Sequence, residues 1–274
     1  MTAVAWIEAL SAMLAAGLLA GFAGGLFGIG GGFVVVPALF AVLPLLGASQ
    51  AELAHVAIGT SAATIIATSL RSVHAHARRG AVDFDILKSW APWIVAGVGA
   101  GVLLAAHVPG PGLAIIFGTG VLIMAIHFLF PILSGRQVSD EMPGGMVRMG
   151  IAGGLGTFSS LLGIGGGTIA IIVMTLCGKS IHRAIATASG VGVIIALPSA
   201  IGFAIIGFHA PDLPWGSLGY VNVPAALVIT STSLISAPWG VAAAHAMSPA
   251  LLKRAFGVYL VAIGVLMIRN GLAG

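Results

Sequence analysis

The sequence predicts an all-α, polytopic integral membrane protein built from two inverted repeats of about five helical segments each. Of 274 residues, 59% are apolar and only 7% are charged, against about 25% charged in an average soluble domain. That is too few charges to coat a soluble surface. Mean hydropathy is +1.14, and apolar runs of about 18 or more residues recur, the length of a helix that crosses hydrocarbon. A distinctive glycine motif occurs twice, at Gly28 and again at Gly163, 163 − 28 = 135 residues later.

The breaks between runs define ten segments, at 5–27, 31–46, 53–71, 89–107, 111–131, 146–163, 167–178, 183–207, 220–244 and 250–271. The runs are continuous rather than alternating, which favours helices over barrel strands. The first, Trp6 to Phe27, has no basic region before it and reads as a span rather than a cleaved leader. Segments two and seven are short and are candidate arms of re-entrant hairpins, which sets eight to ten membrane segments in all. The first repeat covers 1–135, a linker expected in the cytoplasm covers 136–145, and the second repeat covers 146–274.

Charge assigns the sides. Arg71, Arg78, Arg79 and Lys88 bracket the connection after segment three, and Arg136 and Arg148 lie between segments five and six. Lys179 and Arg183 separate segments seven and eight, and Lys253 and Arg254 begin segment ten. The connections at 47–52, 108–112 and 208–219 carry no Lys or Arg. The positive-inside rule therefore places the N-terminus outside; only Arg269 falls on the wrong side. The net charge of +4 is spent on these short loops, with no basic patch interleaved with aromatics, so no nucleic-acid partner is expected. One cysteine, Cys177, and no Cys/His cluster predict neither a disulfide nor a metal site.

Three matches in one order establish the repeat. Leu26-Phe-Gly-Ile-Gly-Gly-Gly-Phe33 is answered by Leu162-Gly-Ile-Gly-Gly-Gly-Thr168, His55-Val-Ala-Ile-Gly-Thr60 by His182-Arg-Ala-Ile-Ala-Thr187, and Ala105-Ala-His107 by Ala243-Ala-His245. Five segments, or three crossings and a hairpin, are both odd numbers, so the second half must run inverted. Inverted repeats are a recurrent secondary-transporter architecture with substrate near the midplane.

The glycines are the candidate site. Gly28, Gly30, Gly31 and Gly32, like Gly163, Gly165, Gly166 and Gly167, interrupt a helix, since each costs about 1 kcal/mol relative to Ala. They also admit positive φ and close approach of a ligand. A helix that restarts after such a break aims free N–H groups and its positive dipole end at the gap, which suits an anion. Close helix packing is the alternative use of small residues. A dinucleotide fingerprint does not fit, because the spacing and the soluble βαβ context are absent.

The chain resembles the TauE/SafE family of sulfite and organosulfur exporters. The resemblance covers nearly the whole chain and rests on the paired Gly-Ile-Gly-Gly-Gly motifs, on Pro37 after the first, and on the His55…Thr60 and His182…Thr187 segments. It implies transport of small anions such as sulfite, sulfoacetate or other organosulfur compounds across a bacterial inner membrane.

No carboxylate sits mid-span, which argues against a proton relay through buried Asp or Glu. His55 and His182 repeat and are the candidates for carrying protons, with interfacial capping as the alternative. His74 and His76 read as solvated loop residues. Hydroxyls are the other polar resource. Thr60 and Thr64, with Thr68, share one face at spacing four. Ser159 and Ser160 precede the second glycine motif, Thr168 follows it, and Thr187 and Ser189 lie in segment eight. Those beside the glycines are the expected substrate contacts; the run 230–233 comes second. Pro198 and Pro238 should kink segments eight and nine.

The expected function is secondary transport of a small sulfur-containing anion by alternating access. A passive anion channel and a non-transporting accessory membrane protein are the competing readings. No catalytic motif or cofactor is expected: there is no Gly-x-Ser-x-Gly elbow and no His-Glu-x-x-His pair. The expected partners are the small anion and the lipid bilayer.

Overall fold

The structure, a computed structural model, describes residues 3–27, 30–130, 137–246 and 249–273. The helices follow the apolar runs: α1 (Ala3–Phe27), α2 (Gly32–Val42) with a 3-10 turn at Leu43–Leu46, α3 (Leu53–Ala77), α4 (Phe84–His107) and α5 (Gly110–Leu129). The second series is α6 (Gly145–Leu162), α7 (Gly167–Leu176), α8 (Ile181–Ile206), α9 (Val223–Ala246) and α10 (Pro249–Ala273). A two-residue antiparallel pair, β1 (Ser217–Leu218) and β2 (Val221–Asn222), precedes α9. The chain is an all-α polytopic membrane protein.

Among the described residues, seven helices, α1, α3, α4, α5, α8, α9 and α10, are long and apolar enough to cross a bilayer. α6 has 18 residues, but Arg148, five glycines and three hydroxyl side chains dilute its apolar character. It is therefore not among the helices apolar enough to span, which number seven among the described residues, one below the eight to ten segments expected. α7 has 10 residues. At about 1.5 Å rise per residue it covers about 15 Å, half of a hydrocarbon core roughly 30 Å thick.

Helix pairing organises the bundle. α1 packs most extensively on α9, α4 on α6, α5 on α10 and α3 on α8. Counting α6–α10 in step with α1–α5 exchanges the first two pairs and leaves the last two unchanged. The closest approaches follow the same exchange. A Cβ at Gly21 of α1 would strike the Ser233 carbonyl oxygen on α9, and one at Gly156 of α6 would strike the Ile94 carbonyl oxygen on α4. Phe33, Ile58, Ile94, Phe117, Ile195 and Phe203 are wholly buried between these helices, whereas Leu19, Leu103, Ile123, Ile205 and Leu227 face outward.

Two threonines tie the halves together in matching ways. The Asn222 backbone N–H, just before α9, donates to Thr60 Oγ1 on α3 at 2.9 Å. The Asp83 backbone N–H, just before α4, donates to Thr187 Oγ1 on α8 at 2.9 Å. Asn222 and Asp83 in turn accept from the first-turn N–H groups of Ala225 and Ile86, as N-caps do.

Candidate functional site

The described glycines of both motifs precede a short helix: Gly30 and Gly31 lie before α2, and Gly163–Gly166 link α6 to α7. Gly30 and Gly31 have φ of 74° and 76°, and Gly163 and Gly166 have φ of 59° and 65°. Each of these conformations would cost an L-residue with a side chain about 1–2 kcal/mol. Gly31 is the N-cap of α2 and Gly166 the N-cap of α7, so the unpaired N–H groups of two helix starts lie at the turns. The turns touch. A Cβ at Gly32 would fall 2.6 Å from the Gly163 carbonyl oxygen and 3.1 Å from Ile164 Cα. Ser61 fixes the junction by donating to the Gly163 carbonyl at 2.8 Å.

A cavity of about 370 Å³ begins at this junction. Gly30, Gly165, Gly167, Thr64 and Ser189 line it among the residues expected from sequence. From there it follows the α3 face Thr64, Thr68, Ser72, Ala75 to Arg71, His76 and Arg79 near the helix end. Arg71 and Arg79 are exposed. No Asp or Glu is among the described lining residues, so the charged side chains that line it, Arg71 and Arg79, are both cationic. A cleft of one sign with low-dielectric walls concentrates the opposite ion.

The hydroxyls divide into three groups. Thr64 and Ser189 line the cavity while donating to the Ser61 and Ala186 carbonyls of their own helices. Ser233, from the second-choice run, also lines it and donates to the Gly17 carbonyl at 2.8 Å. Ser159 and Thr168 flank the second turn, buried, and their hydroxyl oxygens have no hydrogen-bond partner among the described residues. Ser159 Oγ lies against Gly166, 2.8 Å from where a Cβ there would sit. Ser160 donates to the Thr157 carbonyl. Thr60 and Thr187, also expected as substrate contacts, do not line the cavity; they make the inter-half ties described above. Gly31, Gly32, Gly163 and Gly166 shape the turns without lining the cavity. Gly28 lies outside the described residues.

The histidines of the repeat also fall elsewhere. His55 is buried where α3 begins, its Nε2 3.0 Å from the Ala105 carbonyl oxygen and its ring stacked on Tyr220 at 4.7 Å. Glu52 Oε2 is 3.8 Å from His55 Nδ1. Burial first, then the Glu52 carboxylate, pushes the Tyr220 phenol well above its ordinary value. His182 is exposed at the start of α8. Neither histidine lines the cavity.

Sequence reasoning missed Arg71, Ser72, His76 and Arg79. It ended the third segment at 71, because charged residues read as a loop, whereas α3 runs on to Ala77. The signal was present: Ser72, Ala75 and Arg79 continue the helical spacing of Thr64 and Thr68. Among the described residues no group of three or more His, Cys, Asp or Glu side chains could hold a metal ion.

Residues 13–267 match the family described as "Sulfite exporter TauE/SafE". The chain is also similar to a "Probable membrane transporter protein" of Haemophilus influenzae (strain KW20 / Rd), 32% identical over 255 residues, covering 93% of this chain and 96% of that protein. No solved structure matches it.

Proposed function

The chain belongs to the sulfite exporter TauE/SafE family, and from that premise we propose that it is a secondary transporter of a small sulfur-containing anion such as sulfite, a sulfonate or another organosulfur compound. The observation that carries this reading is the cavity that joins both glycine turns and is lined by Arg71, Arg79 and His76 without a carboxylate. The free N–H groups at the starts of α2 and α7 hold the anion at the inner end of that cavity. Irregular backbone is tolerated at that depth where protein buries it or it lines a cavity.

The two halves act as an inverted pair, a reading supported by the exchanged helix contacts and by the matched Thr60 and Thr187 ties. The halves rock about the glycine junction to give alternating access. The basic connections, and with them the arginine-lined mouth, face the cytoplasm of a bacterial inner membrane, with the N-terminus outside. The protein carries no catalytic step.

Flux into proteoliposomes tests this. Purified protein is assayed with sulfite, sulfate, thiosulfate and several organosulfur anions, with and without imposed pH and sodium gradients. Saturable movement of a sulfur anion, accelerated by one gradient, is the expected result. Conductance that no gradient drives would indicate a passive channel, and no flux from folded protein would refute transport.

A further inference from the structure

Ser159 and Ser199 are wholly buried, and their hydroxyl oxygens have no hydrogen-bond partner among the described residues. Burying a hydroxyl without a partner costs stability, and nothing in the packing of this conformation explains either one. The repeat supplies an explanation.

The α3 and α8 segments match at an offset of 182 − 55 = 127 residues, which also relates Thr60 to Thr187. The glycine motifs set 135 for α1 and α6, and the capping pair Asp83 and Asn222 sets 222 − 83 = 139 for α4 and α9. These offsets convert the lining of the open cavity into a second set of residues. Thr68, Ser72 and His76 become Ile195, Ser199 and Phe203; Gly24 becomes Ser159; Ser233 and Ala237 become Ile94 and Val98. Every member of the first set lines the cavity. These six are buried, at 0–1% exposure, and two of the three partnerless buried hydroxyls, Ser159 and Ser199, are among them, the third being Thr168; Val95, the match of Leu234, instead faces outward. The contacts agree with the offsets: Gly21 meets Ser233 as Gly156 meets Ile94. The second set lies toward the opposite end of the bundle. The Phe203 carbonyl accepts the Tyr220 N–H at 3.2 Å, beside the 208–219 connection that carries no Lys or Arg.

We infer that Ser159 and Ser199 line a second path for the same small oxyanion, sealed here between α4, α6 and α8, which opens at the opposite end of the bundle as the arginine-lined cavity closes. The inference rests on the transporter reading above and adds to it the residues of the far half-path. In this conformation the two hydroxyls are stored without partners. When α4, α6 and α8 separate they meet water and the anion, to which each can donate. Their partnerless burial raises the energy of the sealed state and favours exchange with the open one. The far path carries no cation where the near one has Arg71 and Arg79, because the matching residues are Pro198 and Ile206. Hydroxyls and the start of α7 therefore hold the anion there.

Thiol labelling from each side of the membrane tests this in a Cys177→Ser background, which leaves no native cysteine. Ser72→Cys and Ser199→Cys are made singly and together, with Phe203→Cys as a second far-side position should Ser199→Cys fail to express. A membrane-impermeant thiol reagent is expected to reach Ser72→Cys only from the arginine-lined face and Ser199→Cys or Phe203→Cys only from the opposite face. In the double variant, a bulky adduct at the far cysteine holds that path open, so labelling of Ser72→Cys should slow by about tenfold or more. Far cysteines inert from both faces, with Ser72→Cys reactive, would overturn the second path and leave the near cavity standing. Unchanged Ser72→Cys labelling after far modification would overturn the reciprocal opening. A Ser72→Cys inert from both faces would remove the cavity reading and this inference with it.

Discussion

The two glycine turns share one backbone device and differ in what surrounds it. At the first turn the approaching residues are Gly24 and Gly25, which line the cavity, and the following residue is Phe33. At the second the matching positions hold Ser159, Ser160 and Thr168, all buried. The first turn is thus bare on its cavity side, and the second, whose Gly165 and Gly167 also reach the cavity, is flanked by buried hydroxyls. The difference separates two roles. Left-handed glycines and short helix starts recur in both halves, a geometry that on the proposed reading binds the anion. On the proposed reading the side chains differ because each turn serves a different end of the path, with arginines at the exposed mouth of one and hydroxyls along the other.

Breaking the shared device should have the largest effect. Gly30→Leu places a large side chain in the cavity at a φ of 74°. Substrate binding, read by calorimetry on purified protein, should fall by about a hundredfold or more, with detergent-solubilised protein still monodisperse, since blocking a site forfeits several kcal/mol of binding. Retained affinity would remove the glycine junction from the site. Next in size, Arg71→Gln with Arg79→Gln should raise KM for flux by about tenfold and flatten its dependence on ionic strength, because exposed cations act by steering. Each single change should do less, as solvent screens both groups.

A smaller effect separates contact from scaffold. Thr187→Val leaves the Asp83 N–H without its acceptor and should cost about 1–2 kcal/mol of stability, lowering the melting temperature with little change in KM. Thr60→Val should do the same at the other tie. Thr64→Val, facing the cavity, should reverse the pattern and alter KM more than melting. The smallest effect belongs to Tyr220. A phenol pushed up from its ordinary value stays neutral below it, and its contribution to stability is lost only as pH rises above the tyrosine range. Tyr220→Phe should therefore leave the pH profile of transport unchanged between about pH 5 and 9, and a shifted profile would assign the phenol a proton in the cycle.

The helices were legible because apolar length and glycine, proline and charged breaks are local properties: all ten expected segments fall on helices. The division of the hydroxyls was not. Thr60 and Thr64 share a face and a spacing, yet one accepts the Asn222 N–H and the other lines the cavity. Only the approach of a distant chain segment distinguishes them. His55 and His182 match in sequence but lie in unlike surroundings, one stacked on Tyr220 and the other exposed. The cavity mouth was hidden for a different reason. Arg71 and His76 lie on the last turns of a helix that outruns its apolar stretch, with Arg79 just past its end, and hydropathy alone ends that helix too soon.

The central claim is that one anion sits where the two glycine turns meet. Selenite, a heavier analogue of sulfite, can be located by its anomalous scattering in crystals of the protein grown with it. An anomalous peak is expected in the cavity, beside Gly30 and the Gly165–Gly167 turn, and should disappear in Gly30→Leu protein. A peak at another site, in protein that transports selenite, would contradict it.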